Sequence, residues 1–141
     1  MAKFPYKRYL KYPHLRPKDV KIWNKFIDDN PDFFKEVEYD VKVGAGREYP
    51  EAEEGPIKED LIYLSKKRID VVGFTNDEIY IIELKPKAGM SAIGQALSLA
   101  ELYREEAPID KVVLPAIITD EEIPDAAALC KKLSVIYLVC S

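Results

Sequence analysis

The stretch from Arg68 to Lys85 constrains the fold more than any other part of the chain, because its pattern is typical of two β-strands joined by a tight turn. Val, Ile, Phe and Tyr dominate both arms, and these residue types suit a pleated, half-buried surface. The pair Asn76–Asp77 lies between the arms, and both residues tolerate turn geometry. The stretch therefore predicts a β-hairpin.

The register of this hairpin predicts an unusual cluster of charges. A two- or four-residue loop centred on Asn76–Asp77 places Asp70 opposite Glu83 and Arg68 opposite Lys85. Because side chains alternate along a strand, all four are predicted to project from one face of the sheet. Two opposed carboxylates repel each other and do not both stay ionised inside a sheet without compensation. A divalent metal ion would make this a hydrolase site, whereas the two cations alone would make it a structural ion-pair patch.

Apolar periodicity assigns the rest of the chain to helices and strands. Residues 48–60, which hold six acids, two prolines and a glycine, are predicted to form a solvated loop. Since the late strands alternate with helices, we expect parallel crossovers and an α/β fold with a mixed β-sheet flanked by helices. The predicted helices are Pro17–Asp29, Ala92–Glu106 after an N-cap at Ser91, and Pro124–Leu133; the further strands are Glu36–Val43, Lys111–Thr119 and Val135–Cys140, with Leu61–Leu64 extending the first hairpin strand backwards.

Composition bounds the class of protein. A chain of 141 residues is most simply one domain, and no apolar run reaches the length of a membrane span. The N-terminus lacks an apolar signal-peptide region, so we expect a cytoplasmic protein without a membrane partner. His14 alone supports neither a zinc site nor a histidine triad. Cys130 and Cys140 are predicted to be free buried thiols, with a disulfide between them as the alternative. Hydrolysis would therefore depend on carboxylates, lysine and, where a metal is present, a bound water.

The first sixteen residues are basic and aromatic, in contrast to an acidic remainder. Lys7, Arg8 and Lys11 alternate with aromatic residues in this segment. Such an arm can bind nucleic acid by holding phosphates and stacking on bases. Alternatively, its tyrosines pack on the core and its lysines are solvated.

The spacing of the charged cluster provides a family resemblance. Asp70, twelve intervening residues and then Glu83-x-Lys85, on two strands followed by a helix, resemble the PD-(D/E)xK nuclease superfamily. Its αβββαβ core has the predicted order of elements, so the resemblance implies a restriction-endonuclease-like fold. It also implies hydrolysis of phosphodiester bonds in nucleic acid, with DNA as the expected substrate. Asp70, Glu83 and the main-chain carbonyl of Leu84 would then bind Mg²⁺ or Mn²⁺, and Lys85 would be the catalytic lysine.

Further site residues follow from the same resemblance. RecB-like members carry a glutamine on the helix after the motif, which makes Gln95 a candidate. Leu99 stands where those members have a tyrosine, and Tyr103 lies one turn further on. Many members, including archaeal Holliday-junction resolvases, also place an acid on the first helix. The candidates for that acid are Asp28, Asp29 and Glu36.

The resemblance also bears on partners. Arg68 and Lys87 would contact phosphates that flank the site, the basic arm would add affinity, and a homodimer is a further expectation because small resolvases of this type act as dimers. The alternative is a non-catalytic nucleic-acid-binding or assembly protein that keeps the nuclease fold. The acidic body favours that alternative, because it repels a polyanion away from any basic face. An ion-pair patch on an unrelated fold is the third interpretation.

Overall fold

The protein is described from a computed structural model that covers residues 3–107 and 110–141. These residues form one mixed six-stranded sheet and four helices. The strands lie in chain order across the sheet; the first four are antiparallel, and the last two run parallel to the fourth. The elements are β1 (Phe4–Pro5), α1 (Pro17–Asp29), β2 (Glu36–Val43), α2 (Pro56–Leu64), β3 (Lys67–Phe74), β4 (Glu78–Leu84), α3 (Met90–Glu106), β5 (Val112–Thr119), α4 (Pro124–Leu133) and β6 (Ile136–Val139).

Helices cover both faces of the sheet, so the predicted α/β class with a mixed, helix-flanked sheet is confirmed. On one face, Trp23 and Phe26 of α1 pack against strand residues such as Val71. On the other face, α3 contributes Leu99 to one apolar cluster and packs with α4 in another. Because both faces are buried, the central strands are apolar on both sides.

The hairpin has the predicted register. The β3–β4 ladder runs from Val71 opposite Ile82 to Phe74 opposite Ile79. The Thr75 N–H donates to the Glu78 carbonyl at 3.0 Å and closes the turn around Asn76–Asp77. The residue types of the two arms and the position of the turn were therefore sufficient to predict that these two strands pair, and in which register.

Two elements were not predicted. Residues 48–55 form the predicted loop, but residues 56–64 form α2, so the loop prediction is wrong for residues 56–60 and the strand extension at Leu61–Leu64 is wrong. Pro56 occupies the first helical position, where its missing N–H costs nothing, and a short apolar run does not distinguish strand from helix. The edge strand β1 pairs with β2 over two residues only, which is too short for a periodic signal.

The N-terminal arm is packed against the body of the protein. Phe4, Tyr6 and Tyr9 lie against the buried cluster around Trp23. The Tyr6 hydroxyl donates to the Asn30 carbonyl at 2.6 Å. The tyrosines therefore behave as the packing interpretation of this segment predicts.

The prediction of buried free thiols is met in the described residues. Cys130 and Cys140 are free and buried. None of the described helices is both long and apolar enough to cross a lipid bilayer.

Candidate active site

The site begins where β3 and β4 stop pairing. At the level of Asp70 and Glu83 no ladder pair is formed; instead, the Leu84 N–H donates to Asp70 Oδ2 at 2.9 Å. Strand β4 stays paired with β5, and the Lys85 N–H donates to the Ile118 carbonyl at 3.1 Å. The Asp70 side chain thus replaces the main chain of β3 as the hydrogen-bond partner of β4, and a gap opens between β3 and β4.

This gap belongs to a cavity of about 1340 Å³ between the start of α1, the ends of the central strands and one side of α3. Asp70, Glu83 and Lys85 line it, as do Arg68 and Gln95. The structure therefore brings together the residues predicted from the hairpin and the candidate glutamine of the following helix. Small or polar α3 residues complete that wall: Ser91, Gly94 and Ser98.

Burial raises the pKa of Asp70 to about 6, against an ordinary value of 3.8. The hydrogen bond from the Leu84 N–H opposes the rise, as do the positive charges of Arg68 and Arg16. The negative charge of Asp19 adds to the rise. Desolvation dominates because the carboxyl lies in the low-dielectric end of the sheet.

Glu83 is perturbed more strongly. Burial, together with the neighbouring Asp70 charge, raises the pKa of Glu83 to about 8, against an ordinary value of 4.5. Lys85 acts in the opposite direction. The pair therefore does not hold two negative charges at neutral pH unless a cation compensates them.

The one-face prediction for the charged cluster is partly wrong. Strict alternation would place Ile69 and Val71 on the same face, but Ile69 packs in the cluster with Leu99 and Val71 packs in the cluster with Trp23. Alternation breaks at Asp70, because the ladder on both sides of this residue is interrupted. Arg68 still lines the cavity. It lies on the other side of this break in the alternation, so a period of two residues does not by itself explain its position.

Other predicted contacts lie outside the cavity. Lys87 does not line it; its main-chain N–H donates to Asp120 at 2.9 Å. Arg8 forms an ion pair with Asp28 at 2.9 Å, and Lys7 lies over the Tyr9 ring. Lys11 is exposed and also absent from the cavity lining, and Tyr103 packs beside the Leu99 cluster.

The acid contributed by the first helix is not one of the three candidates. Asp28, Asp29 and Glu36 are paired outside the cavity, with Arg8, Lys25 and Lys3 respectively. Asp19 in the first turn of α1 lines the cavity instead, and its charge raises the pKa of both Asp70 and Glu83. Asp19 is the acidic residue in the first turn of α1, which begins at Pro17, and this turn is the part of α1 that lines the cavity. An acidic residue in the first turn, after a proline at a predicted helix start, was the signal that could have been used.

Sequence reasoning also missed two residues of the cavity wall. Asp40 of β2 and His14, which precedes α1, both line it. His14 Nε2 lies 3.2 Å from Asp40 Oδ2.

The lining is cationic overall, although the chain carries a net charge of −4. Six lysine and arginine residues face four carboxylates around the cavity. The cations are Arg16, Lys18, Lys66, Lys67, Arg68 and Lys85, and the carboxylates are Asp19, Asp40, Asp70 and Glu83. A polyanion is therefore attracted locally to this opening even though the rest of the surface is acidic.

Comparisons of the chain with protein-family models, with curated proteins and with solved structures find no match. Among residues 3–107 and 110–141, no three or more His, Cys, Asp and Glu side chains converge as a metal-binding group.

Proposed function

We propose that the protein is a metal-dependent nuclease that hydrolyses phosphodiester bonds of nucleic acid, with DNA as its substrate. The observation that carries the proposal is the pair Asp70 and Glu83, two carboxylates held together at the point where β3 and β4 separate, with Lys85 two residues further along. Burial and like charge raise the pKa of both, which is a cost without structural benefit. Such a pair is expected where a cation or a reaction uses it.

The donor set fits a hard divalent ion. Asp70 and Glu83 supply carboxylate oxygens, the ligands that Mg²⁺ and Mn²⁺ prefer. The N–H and C=O of one strand residue point to the same side, so the Leu84 carbonyl faces the gap together with the N–H that binds Asp70. These three oxygens leave positions for water and substrate, and a bound ion would lower the pKa of that water and polarise the phosphate.

The chain's own groups would then do the following. Lys85 places an ammonium group beside Glu83, where it stabilises negative charge that develops on the phosphate and orients the attacking water by donating a hydrogen bond to its oxygen. Gln95, exposed on the α3 wall, can orient that water or the phosphate through its side-chain amide. Arg68 offers its guanidinium group to a phosphate oxygen.

The size and charge of the cavity support a polymeric substrate. Pockets for small molecules usually enclose roughly 300–1,000 Å³, and this cavity of about 1340 Å³ exceeds that range. Its cationic lining answers the objection that an acidic body repels nucleic acid, because the positive charge is concentrated where the carboxylates lie.

The test is cleavage of a panel of single-stranded, duplex, flapped and four-way-junction DNA and of RNA, in Mg²⁺, Mn²⁺ or EDTA. We expect metal-dependent cutting that is lost in Asp70→Asn and Lys85→Met. Asp28→Asn is the matched control, because Asp28 is an ion-paired aspartate outside the cavity and should keep full activity. Sedimentation of the same samples tests the expected homodimer.

The opposite result is equally clear. If no substrate is cut in either metal while nucleic acid still binds equally well in EDTA, the enzyme assignment fails. The non-catalytic nucleic-acid-binding function then takes its place. If instead no substrate is cut, nucleic acid does not bind and neither Mg²⁺ nor Mn²⁺ binds, the Asp70 and Glu83 cluster is a structural ion-pair patch.

A further inference from the structure

Three side chains form a second cluster in the cavity wall, beside the carboxylate pair. Asp40 lies between His14, whose Nε2 is 3.2 Å from Asp40 Oδ2, and Arg68, whose Nε is 3.7 Å from Asp40 Oδ1. All three line the cavity that holds Asp70. His14 is the single histidine of the chain.

The backbone is strained at two of these residues. Four non-glycine residues of the described chain have positive φ, and two of them are Asp40, at 51°, and His14, at 56°. Left-handed residues of this kind persist where the surrounding structure requires them, and they cluster at functional sites. Asp40 and His14 contact each other and line the same cavity, so the fold imposes both left-handed conformations at one place.

The strain at Asp40 has a structural role in β2. Val37 and Tyr39 pack in the cluster around Trp23, whereas Val41 packs in the cluster around Leu99. The strand therefore exchanges its two faces at Asp40, and the β2–β3 ladder omits Asp40 together with Asp70, the residue at the same level of β3. This exchange brings the Asp40 side chain to the cavity, one strand away from the carboxylate pair.

The arrangement of burial indicates what Asp40 does. Its side chain is 14% exposed, against 48% for Arg68 and 59% for His14, so the carboxylate lies beneath two more accessible groups. Asp40 Oδ1 is buried and accepts no hydrogen bond. Arg68 approaches this oxygen through Nε, at 3.7 Å, so the terminal nitrogens of the guanidinium group remain available to a ligand.

We propose that Asp40 is a positioning residue that holds Arg68 and His14 as a clamp for a phosphate group next to the one that is cleaved. The inference rests on the proposed function for the identity of its ligand, a nucleic-acid strand bound through non-bridging phosphodiester oxygens. Arg68 supplies its terminal guanidinium nitrogens, and His14 in its protonated form supplies Nδ1–H as a donor, since Nε2 contacts Asp40. Asp40 does not touch the substrate; it sets the direction of both groups.

The experiment uses the single histidine as a reporter. The imidazole signals of ¹⁵N-labelled protein are followed by NMR during titration with pentathymidylate in EDTA, so that nothing is cleaved. We expect the His14 signals to shift and saturate with the oligonucleotide and to stay unchanged with thymidine, which has no phosphate. Asp40→Asn is expected to weaken binding roughly tenfold, and asparagine tolerates the left-handed backbone, so the fold is kept.

The control again uses the ion pair outside the cavity. Asp28→Asn removes the partner of Arg8 and should leave both the shift and the affinity unchanged. Equal shifts with thymidine, or an affinity that Asp40→Asn does not change, would overturn the clamp. Cleavage with metal but no His14 shift would reject the clamp and keep the nuclease, whereas a saturable shift without any cleavage would keep the clamp and reject the nuclease.

Discussion

Replacing Glu83 by glutamine should stabilise the protein, although glutamate is the residue that the proposed chemistry needs. Burial and the neighbouring Asp70 raise the pKa of Glu83 to about 8, so the folded protein keeps a proton at pH 7 that the unfolded chain, with an ordinary pKa of 4.5, has lost. Stability from this group is fully present below pH 4.5 and is lost as the pH rises through 8. Glutamine has nearly the same shape as glutamate and cannot ionise, so the substitution removes this loss of stability with rising pH.

The size of the gain follows from the pKa difference. The difference between pH 7 and the ordinary pKa of Glu83 corresponds to about 3 kcal/mol of lost folding stability, at ~1.4 kcal/mol for each pH unit. Because Asp70 shares the burial and the repulsion, we expect a net gain on the order of 1–3 kcal/mol, which is a rise of roughly 3–10 °C in Tm for a chain of this length.

The assay is thermal and urea unfolding between pH 4.5 and 8.5 in EDTA. The wild type should lose stability with rising pH, and Glu83→Gln should lose much less. Glu36→Gln is the matched control, since Glu36 is a strand glutamate paired at the surface with Lys3 at 3.3 Å and should change stability by less than about 1 kcal/mol. A Glu83→Gln protein that is less stable at pH 7, or that keeps the wild-type slope, would refute the reasoning.

Addition of metal supplies a second readout of the same site. Mg²⁺ that binds the folded state raises Tm with concentration, because it binds the native state in preference to the unfolded chain. The wild type should therefore gain stability at pH 8, where Glu83 ionises, and Glu83→Gln should gain little. Equal Mg²⁺ responses in both proteins would place the ion elsewhere.

Three further substitutions test the packing around the site by urea unfolding. Gly73→Ala would bring a methyl group to 2.5 Å from the Phe34 ring, with an expected loss of ~1–3 kcal/mol; wild-type stability would contradict this. Gly94→Ala meets no atom within 4 Å on α3 and should gain ~0.5–1 kcal/mol, so a loss would contradict the open position. Tyr39→Phe leaves the buried Trp23 N–H, now bonded at 2.9 Å, without a partner and should cost ~1–3 kcal/mol, whereas a neutral result would mean that another acceptor replaces it.

Local patterns in the sequence were enough for the elements that carry the carboxylate pair. β-Branched and aromatic residues on either side of Asn76–Asp77 predicted the hairpin, and the position of the turn between them predicted its register. The bounds of α1 and β2 were also predicted, from apolar spacing and from the proline and turn residues at their ends. Residues that are close in sequence and regular in period can be placed in this way.

The same patterns failed where an element is short or its period changes. The helix α2 has no buried residue, so no apolar stripe separates it from a loop or strand. At Asp40 and Asp70 the strands exchange faces, and a prediction based on period two continues past that point with the wrong orientation. A positive φ at Asp40 is not visible as a residue pattern, because residues 36–43 alternate between apolar and polar as an ordinary strand does.

The sequence by itself determined that Asp70 and Glu83 lie at the same level of two neighbouring strands, because a tight turn centred on Asn76–Asp77 leaves one register for the hairpin. Only the tertiary structure decided what surrounds them. Asp19, His14 and Asp40 reach the cavity from segments distant in sequence, through the packing of α1 on the sheet and the exchange of faces in β2. Contacts of that kind depend on how whole elements pack, and no local spacing of residues records them.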